Sequence, residues 1–153
     1  PTPAEREVLG AIAYQPNEAI LHTDSRLMPR RRLAWACWNY HSIANHEGPL
    51  ALTYNMNMLQ NLDAPETLMV TLNRSDMIDP SRILLRTTYY HPVFTSASVA
   101  AQARQRELNG YRGTYYCGAW WRNGFHEDGV VSAIDALAHF DQDHAQRALH
   151  RTA

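Results

Sequence analysis

The 153-residue chain contains no lysine, because all 14 of its basic residues are arginine. A lysine Schiff base and a lysine general base are therefore excluded from this segment. The chain also lacks a basic excess, since its formal net charge is −1. Nucleic acid is not expected as a partner, because binding to phosphates needs clustered positive charge. The composition, 45% hydrophobic and 19% charged, is that of a folded domain with a core.

Cysteine is scarce, and no long apolar run is present. Cys37 and Cys117 each lie in an apolar or aromatic stretch and not in a paired motif, which predicts buried free thiols. Neither H-E-x-x-H nor C-x-x-C occurs, so we predict no metal site. Without an apolar run of roughly 18 residues we predict no membrane span. Because we recognise no signal peptide in the sequence, we expect a cytoplasmic location.

A dinucleotide-binding turn is missing as well. Such a fold seats the pyrophosphate on G-x-G-x-x-G after its first strand, and the chain has no such motif. The first residues, in contrast, form a complete helix start. Thr2, Pro3 and Glu5 are typical of an N-cap, a first-turn proline and the acid of a capping box. A helix that begins this close to Pro1 indicates a fragment of a longer protein.

Hydrophobic periodicity predicts an antiparallel sheet between two helical regions. The clearest strand is 50–58, where Leu50, Leu52 and Tyr54 alternate with small or polar residues. Helices are predicted at 3–13, 96–108 and 128–140, strands at 18–22, 33–40, 50–58, 68–72, 82–90 and 114–118, and a frayed polar tail at 141–153. The predicted fold class is α/β, in the form of an α+β fragment.

The most informative segment is the strand, loop and helix between residues 114 and 140. Gly118 would let a ligand or another backbone approach closely. A helix that starts near Asp128 and Gly129 would present unpaired N–H groups at residues 127–131, and its dipole favours partial negative charge. The reduced flavin ring carries such charge at N1 and O2. Acid-glycine pairs also start helices that bind nothing, so both interpretations stay open.

The chain resembles flavin-containing amine oxidases, and in particular a bacterial subgroup of NAD/FAD-binding oxidoreductases. A similar domain precedes cyclopropane-fatty-acid synthase in plants. The resemblance spans roughly residues 7–140 and rests on these segments: Gly118-Ala119, Gly124-Phe125-His126-Glu127-Asp128-Gly129, Leu21-His22-Thr23-Asp24, Leu27-Met28-Pro29-Arg30, Ala34-Trp35-Ala36-Cys37-Trp38-Asn39, Met56-Asn57-Met58-Leu59-Gln60, Thr71-Leu72-Asn73 and His91-Pro92-Val93.

The resemblance implies the C-terminal part of an FAD-dependent oxidoreductase with two intertwined domains. Residues 1–22 and 94–140 would belong to the FAD domain, 23–93 to the substrate domain and 141–153 to a tail. The substrate would be a small apolar molecule or an amine.

The resemblance also implies a set of cofactor-binding residues. Backbone N–H groups around Glu127, Asp128 and Gly129 would meet the flavin ring beside Gly118-Ala119. Phe125 or His126 would form an aromatic wall. The catalytic residues stay unassigned.

Two departures from that family leave the reaction open. Ala119 stands where many relatives carry an acid, and no lysine is available for the flavin N5. A desaturase is therefore as consistent as an amine oxidase. Without the pyrophosphate turn, this fragment is not expected to retain FAD, and the edge at 114–118 predicts self-association. The alternative hypothesis is a binding or interaction module without a cofactor.

Overall fold

The computed structural model describes residues 1–42 and 49–152, with side chains up to residue 146. The chain forms two compact units. The terminal unit combines residues 1–15 with the chain from residue 92 onward, and the sheet unit comprises Pro16–His91. Assigning these units to an FAD domain and a substrate domain stays a prediction. The class is α+β.

Five helices and five strands are described. The helices are α1 (Pro3–Gly10), α2 (Met56–Gln60), α3 (Ser96–Gln102), α4 (Gln105–Leu108) and α5 (His126–Thr152). The strands are β1 (Tyr14–His22), β2 (Trp38–Tyr40), β3 (Leu52–Asn55), β4 (Met69–Leu72) and β5 (Ile83–Pro92). Short 3-10 turns lie between several of them.

The sheet has the strand order β2-β3-β4-β1-β5. Its described pairings are antiparallel. Thr71 of β4 lies opposite Thr53 of β3 on one side and opposite Ile20 of β1 on the other. Ile20 and Met69 are fully buried, and they contribute to the core beside the sheet. The predicted antiparallel sheet is therefore confirmed in kind, although β2, β3 and β4 are shorter than expected and β1 and β5 are longer.

The terminal unit has its own core beneath α1. Val8 and Ile12 pack with Ala101, Leu108 and Trp121. The start of α1 is as predicted: Glu5 N–H donates to the Thr2 hydroxyl, and Thr2 N–H donates to the Glu5 carboxylate. This reciprocal cap satisfies two N–H groups that no helical carbonyl can reach.

The predicted strand at 114–118 is wrong. The segment is extended, but it pairs with no strand among the described residues. Side chains take the place of a ladder, because Tyr116 N–H donates to Asn109 Oδ1 and Gln105 Nε2 donates to the Tyr116 carbonyl. The edge that motivated the self-association prediction is consequently absent at this point.

The predicted fraying of residues 141–153 is also wrong, since α5 continues to Thr152. Asp143 explains part of this extension. Its carboxylate accepts hydrogen bonds from Arg106 at 2.6 Å and from the Tyr115 hydroxyl at 2.9 Å. Phe140 packs edge-on against the Tyr115 ring at 5.5 Å. These contacts hold the polar half of the helix in place.

Three further elements are shorter than predicted or broken, because local hydrogen bonds favour turns and helix ends within the predicted ranges. The strand at 50–58 ends at Asn55, whose side chain accepts from Met58 N–H and starts α2. Within 33–40 only Trp38–Tyr40 is a strand, after a 3-10 turn at Arg32–Ala34. The helix at 96–108 breaks at Arg104, whose guanidinium pairs with Glu7 and Glu107.

β1 begins at Tyr14, four residues before the predicted strand, and passes through Pro16. Pro16 is tolerated because only Ala19–His22 pairs with β4. The expectation of buried thiols is wrong for Cys117, which is exposed, and Cys37 is only half-buried.

Candidate functional site

A buried hydroxyl joins the loop before α5 to the helix. Gly118 N–H donates to Ser132 Oγ at 2.8 Å, and the Ser132 hydroxyl donates to the Gly129 carbonyl at 3.0 Å. Ser132 is buried at 1% exposure, so both bonds are shielded from water. The loop therefore has a defined position relative to the first turns of α5.

Gly118 cannot carry a side chain in this arrangement. A Cβ atom on Gly118 would overlap Nε1 of the Trp120 indole. The Trp120 ring in turn packs on Trp121, with ring centroids 4.3 Å apart. The glycine thus makes room for an indole of its own loop, which differs from the expected approach of a ligand.

The turn into α5 depends on Gly124, whose φ of 92° lies in the left-handed region. Its N–H donates to the Ala119 carbonyl at 3.1 Å, which closes the loop. The sequence pattern did not predict this turn, because Gly124 stood out only as part of the resemblance to the flavin motif. The Asn123-Gly124 pair was the available signal, since this dipeptide is typical of tight turns.

Helix α5 begins at His126, two residues before the predicted start. Asp128 helps to fix that start, because its Oδ2 accepts from Phe125 N–H at 2.9 Å and Asn123 N–H at 3.2 Å. Gly129 N–H donates to the Phe125 carbonyl at 3.2 Å. Two predicted site residues, Asp128 and Gly129, therefore have internal structural roles.

Three backbone donors remain at this helix end. In the described part of the chain, the N–H groups of His126, Glu127 and Asp128 have no hydrogen-bond partner. This is the normal state of a first helical turn, and it creates a positive end. His126 and Glu127 are exposed, and Phe125 is 57% exposed beside them. The predicted ring-side residues are thus brought together.

The charge at this end limits what it can bind. Glu127 and Asp128 both lie in the first turn of α5, where their carboxylates offset the positive helix end. A fully charged phosphate would meet their repulsion. A neutral group with electron-rich oxygen or nitrogen atoms would still find three N–H donors. The two carboxylates therefore weaken any preference of this helix end for an anion.

Gly129 brings the helix and the loop close together. A Cβ atom placed on it would make ordinary contact, 3.9 Å from both the N and the Cβ of Ala119. This neighbour contact connects two predicted site residues. Alanine would consequently fit at position 129, whereas a branched side chain would crowd the loop.

Trp121 is the functional candidate that sequence reasoning missed. Its ring is 4% exposed, and among the described residues its Nε1 is a buried side-chain donor without an acceptor. Such groups are uncommon in folded proteins, because an unpaired buried donor costs roughly 1–3 kcal/mol. Nearby, Leu9, Ile12 and Trp120 help to line an apolar cleft of about 210 Å³.

A separate polar row crosses the sheet unit. His22 Nε2 contacts Thr71 Oγ1, Thr71 Oγ1 contacts Thr53 Oγ1, and Thr53 Oγ1 contacts His41 Nε2, each at 2.7 Å. His22, Thr53 and Thr71 are fully buried. This row was not anticipated, since its members are far apart in sequence and meet only through the strand register.

The direction of the hydrogen bonds in this row follows from its buried end. Asp24 N–H can only donate, so His22 Nδ1 accepts it at 3.1 Å and the proton of a neutral His22 lies on Nε2. Each threonine hydroxyl then donates to the next member, because otherwise the buried Thr71 hydrogen would lack an acceptor. Burial lowers the pKa of His22, which agrees with a neutral ring.

The described residues contain no group of three or more histidine, cysteine, aspartate or glutamate side chains placed to hold a metal ion. Within the same part of the chain, no helix has the length and apolar character needed to cross a membrane. No protein-family model matches the chain, and no curated protein matches it.

Proposed function

We propose that this chain supplies the flavin-ring side of the cofactor site in an FAD-dependent oxidoreductase. The observation that carries the proposal is the start of α5. The segment whose residues resemble the flavin motif, Gly124–Gly129, is also the segment that offers three unpaired backbone N–H groups. A loop anchored at Gly118 and Ala119 lies beside it.

The chain's residues fit one side of FAD and not the other. Donors from His126 to Asp128 would suit the N1 and O2 edge of the ring, because these atoms accept hydrogen bonds. The pyrophosphate side has no counterpart, because G-x-G-x-x-G is absent from all 153 residues. We therefore expect no stoichiometric FAD on this chain alone, and the remaining binding residues must come from other sequence.

A bound flavin would supply the oxidising chemistry by accepting two electrons from a substrate. This chain would orient the ring through the first-turn N–H groups. No lysine is present to act near the ring, so oxidation of an amine and desaturation of an apolar substrate both agree with the residues. In this proposal the terminal unit belongs to the FAD domain and Pro16–His91 to the substrate domain.

The proposal is tested by the coding sequence upstream of Pro1 together with the flavin content of its product. We expect a G-x-G-x-x-G motif after a strand within about 300 residues, the size of a cofactor domain plus part of a substrate domain. We also expect flavin absorbance near one equivalent in the protein that includes it. An upstream region without the motif, or a colourless product, would refute the proposal.

An interaction module without a cofactor is the second candidate. It is favoured by an exposed apolar stripe on α5, formed by Val130, Ile134 and Leu137, which are 55–62% exposed. Their spacing places them on one helix face. A start codon just before the codon for Pro1, preceded by an in-frame stop codon, would favour this candidate, since the chain would then have no source for the missing FAD half.

A further inference from the structure

The two edges of the sheet differ sharply. One edge is β2, which has three residues, and the other is β5, which has ten (Ile83–Pro92). An edge strand presents unpaired N–H and C=O groups along its outer side, and proteins commonly keep such strands short or guard them with charge. β2 follows that rule and β5 does not.

β5 also has few of the charged side chains that usually keep an edge strand from pairing with another chain. Leu84, Leu85, Tyr89 and Tyr90 are 54–67% exposed. Arg86 carries the strand's one permanent charge, and it is drawn back toward β1, where its Nη1 lies 3.3 Å from Glu18 Oε1. The long edge is therefore apolar, with its permanent charge already partnered inside the same sheet.

The sequence of β5 is complementary to itself. The backbone groups of successive residues point alternately toward and away from a partner strand, and two residues that lie opposite each other must point the same way. In a symmetric pair of identical strands this requires that the two-fold axis pass at a residue, which then lies opposite its own copy, and not between residues. An axis at Arg86 would oppose two arginines. With the axis at Thr87, Leu84 lies opposite Tyr90 and Leu85 opposite Tyr89. This register matches aliphatic with aromatic side chains, a favourable cross-strand pair.

We propose that two copies of this chain associate through antiparallel pairing of their β5 edges, with the two-fold axis at Thr87. The inference does not depend on flavin binding, because every residue involved lies in the sheet unit. It moves the predicted self-association from residues 114–118, which form no strand, to the long unguarded edge.

Neighbouring aspartate variants test the register with opposite expected effects. Thr87→Asp opposes two carboxylates across the axis, whereas Thr88→Asp opposes Arg86 of the other copy twice. Aspartate has the same poor strand propensity in both variants, so a difference between their dimer affinities reports which residues lie opposite each other across the two strands. Sedimentation equilibrium should show that Thr88→Asp dimerises about tenfold more tightly than Thr87→Asp, because two attractive pairs of opposite charge take the place of one repulsive pair. Gln60→Asp, exposed on α2, is the charge control.

A cysteine scan provides a second measurement for the case in which an aspartate disturbs the fold. In a background with Cys37 and Cys117 replaced by serine, Thr87→Cys should form a disulfide-linked dimer under mild oxidation. Leu85→Cys should not, since its copies would lie about 13 Å apart along the strands.

Several results would overturn the proposal. These are a wild-type monomer at every concentration up to the millimolar range, equal dimer affinities for both aspartate variants, or more efficient cross-linking through Leu85→Cys. The reverse order of the two aspartate variants would also overturn it, because that order places the axis at Thr88.

Discussion

Gly118 and Ser132, fourteen residues apart, are joined by a hydrogen bond of 2.8 Å from the glycine N–H to the serine hydroxyl. The same hydroxyl donates to the Gly129 carbonyl, so its one hydrogen and one of its lone pairs are both used. This contact helps to position the loop relative to the free N–H groups of α5. Any ligand at the helix start would depend on it.

Ser132→Ala should therefore destabilise the terminal unit. The Gly118 N–H would lose its acceptor in a poorly hydrated position, which costs about 1–2 kcal/mol. Chemical denaturation of the two proteins measures the difference in the free energy of unfolding. Ser132→Thr keeps the hydroxyl and should retain more stability than the alanine variant. An alanine variant as stable as the wild type would show that the bond contributes nothing.

Two glycine variants should change stability in opposite directions. Gly118→Ala places a Cβ against Trp120 and should cost roughly 1–3 kcal/mol through overpacking. Gly10→Ala meets no atom within 4 Å at the end of α1, and should gain about 0.5–1 kcal/mol from reduced freedom of the unfolded chain. Thermal unfolding of both variants checks the signs. Stabilisation by Gly118→Ala would contradict the described loop.

Stability should fall as the pH falls below about 6.5, the ordinary pKa of histidine. Burial lowers the pKa of His22, which outweighs the opposite effect of Asp24. The unfolded chain then binds a proton before the folded chain does, so protonation favours unfolding. The contribution is complete above pH 6.5 and is lost as the pH drops toward the folded pKa. His41 acts in the same direction, since burial and Arg74 lower its pKa.

The measurement for this prediction is the free energy of unfolding between pH 5 and pH 8. His22→Gln removes one titrating group, and the curve should become flatter while His41 leaves a residual slope. Asp24 does not interfere, because the bond from Arg26 holds its pKa far below this window. An unchanged slope in the glutamine variant would mean that His22 is not the group responsible.

Sequence reasoning succeeded where structure is determined locally. The Thr2–Glu5 cap and the antiparallel character of the sheet follow from short-range patterns, and both are confirmed. Predictions from the sequence were wrong where contacts with distant residues determine the local structure. Residues 114–118 have strand-like composition but no partner strand, and the polar end of α5 is held by Asp143 contacts that no local pattern encodes.

The candidate site shows the same division. The residue types of the turn, from Gly124 to Gly129, identified a helix start with free donors. They could not show that the Asp128 carboxylate accepts hydrogen bonds from Phe125 and Asn123. Nor could they show that the Gly129 N–H already donates to a carbonyl. The unpaired Nε1 donor of the buried Trp121 could not be predicted either, since the sequence does not show whether an indole in a loop has a hydrogen-bond acceptor.

The most direct test of the flavin proposal is the flavin-to-protein ratio of the complete polypeptide that contains this segment. His126→Pro deletes one first-turn N–H at the position where helices accept proline best, so the fold should survive. Gly129→Ala is the matched control, because its added methyl group fits and its N–H is already used. The account predicts about one flavin per chain in the wild type and the alanine variant, and a clearly lower ratio in the proline variant. Equal flavin content in all three proteins would contradict it.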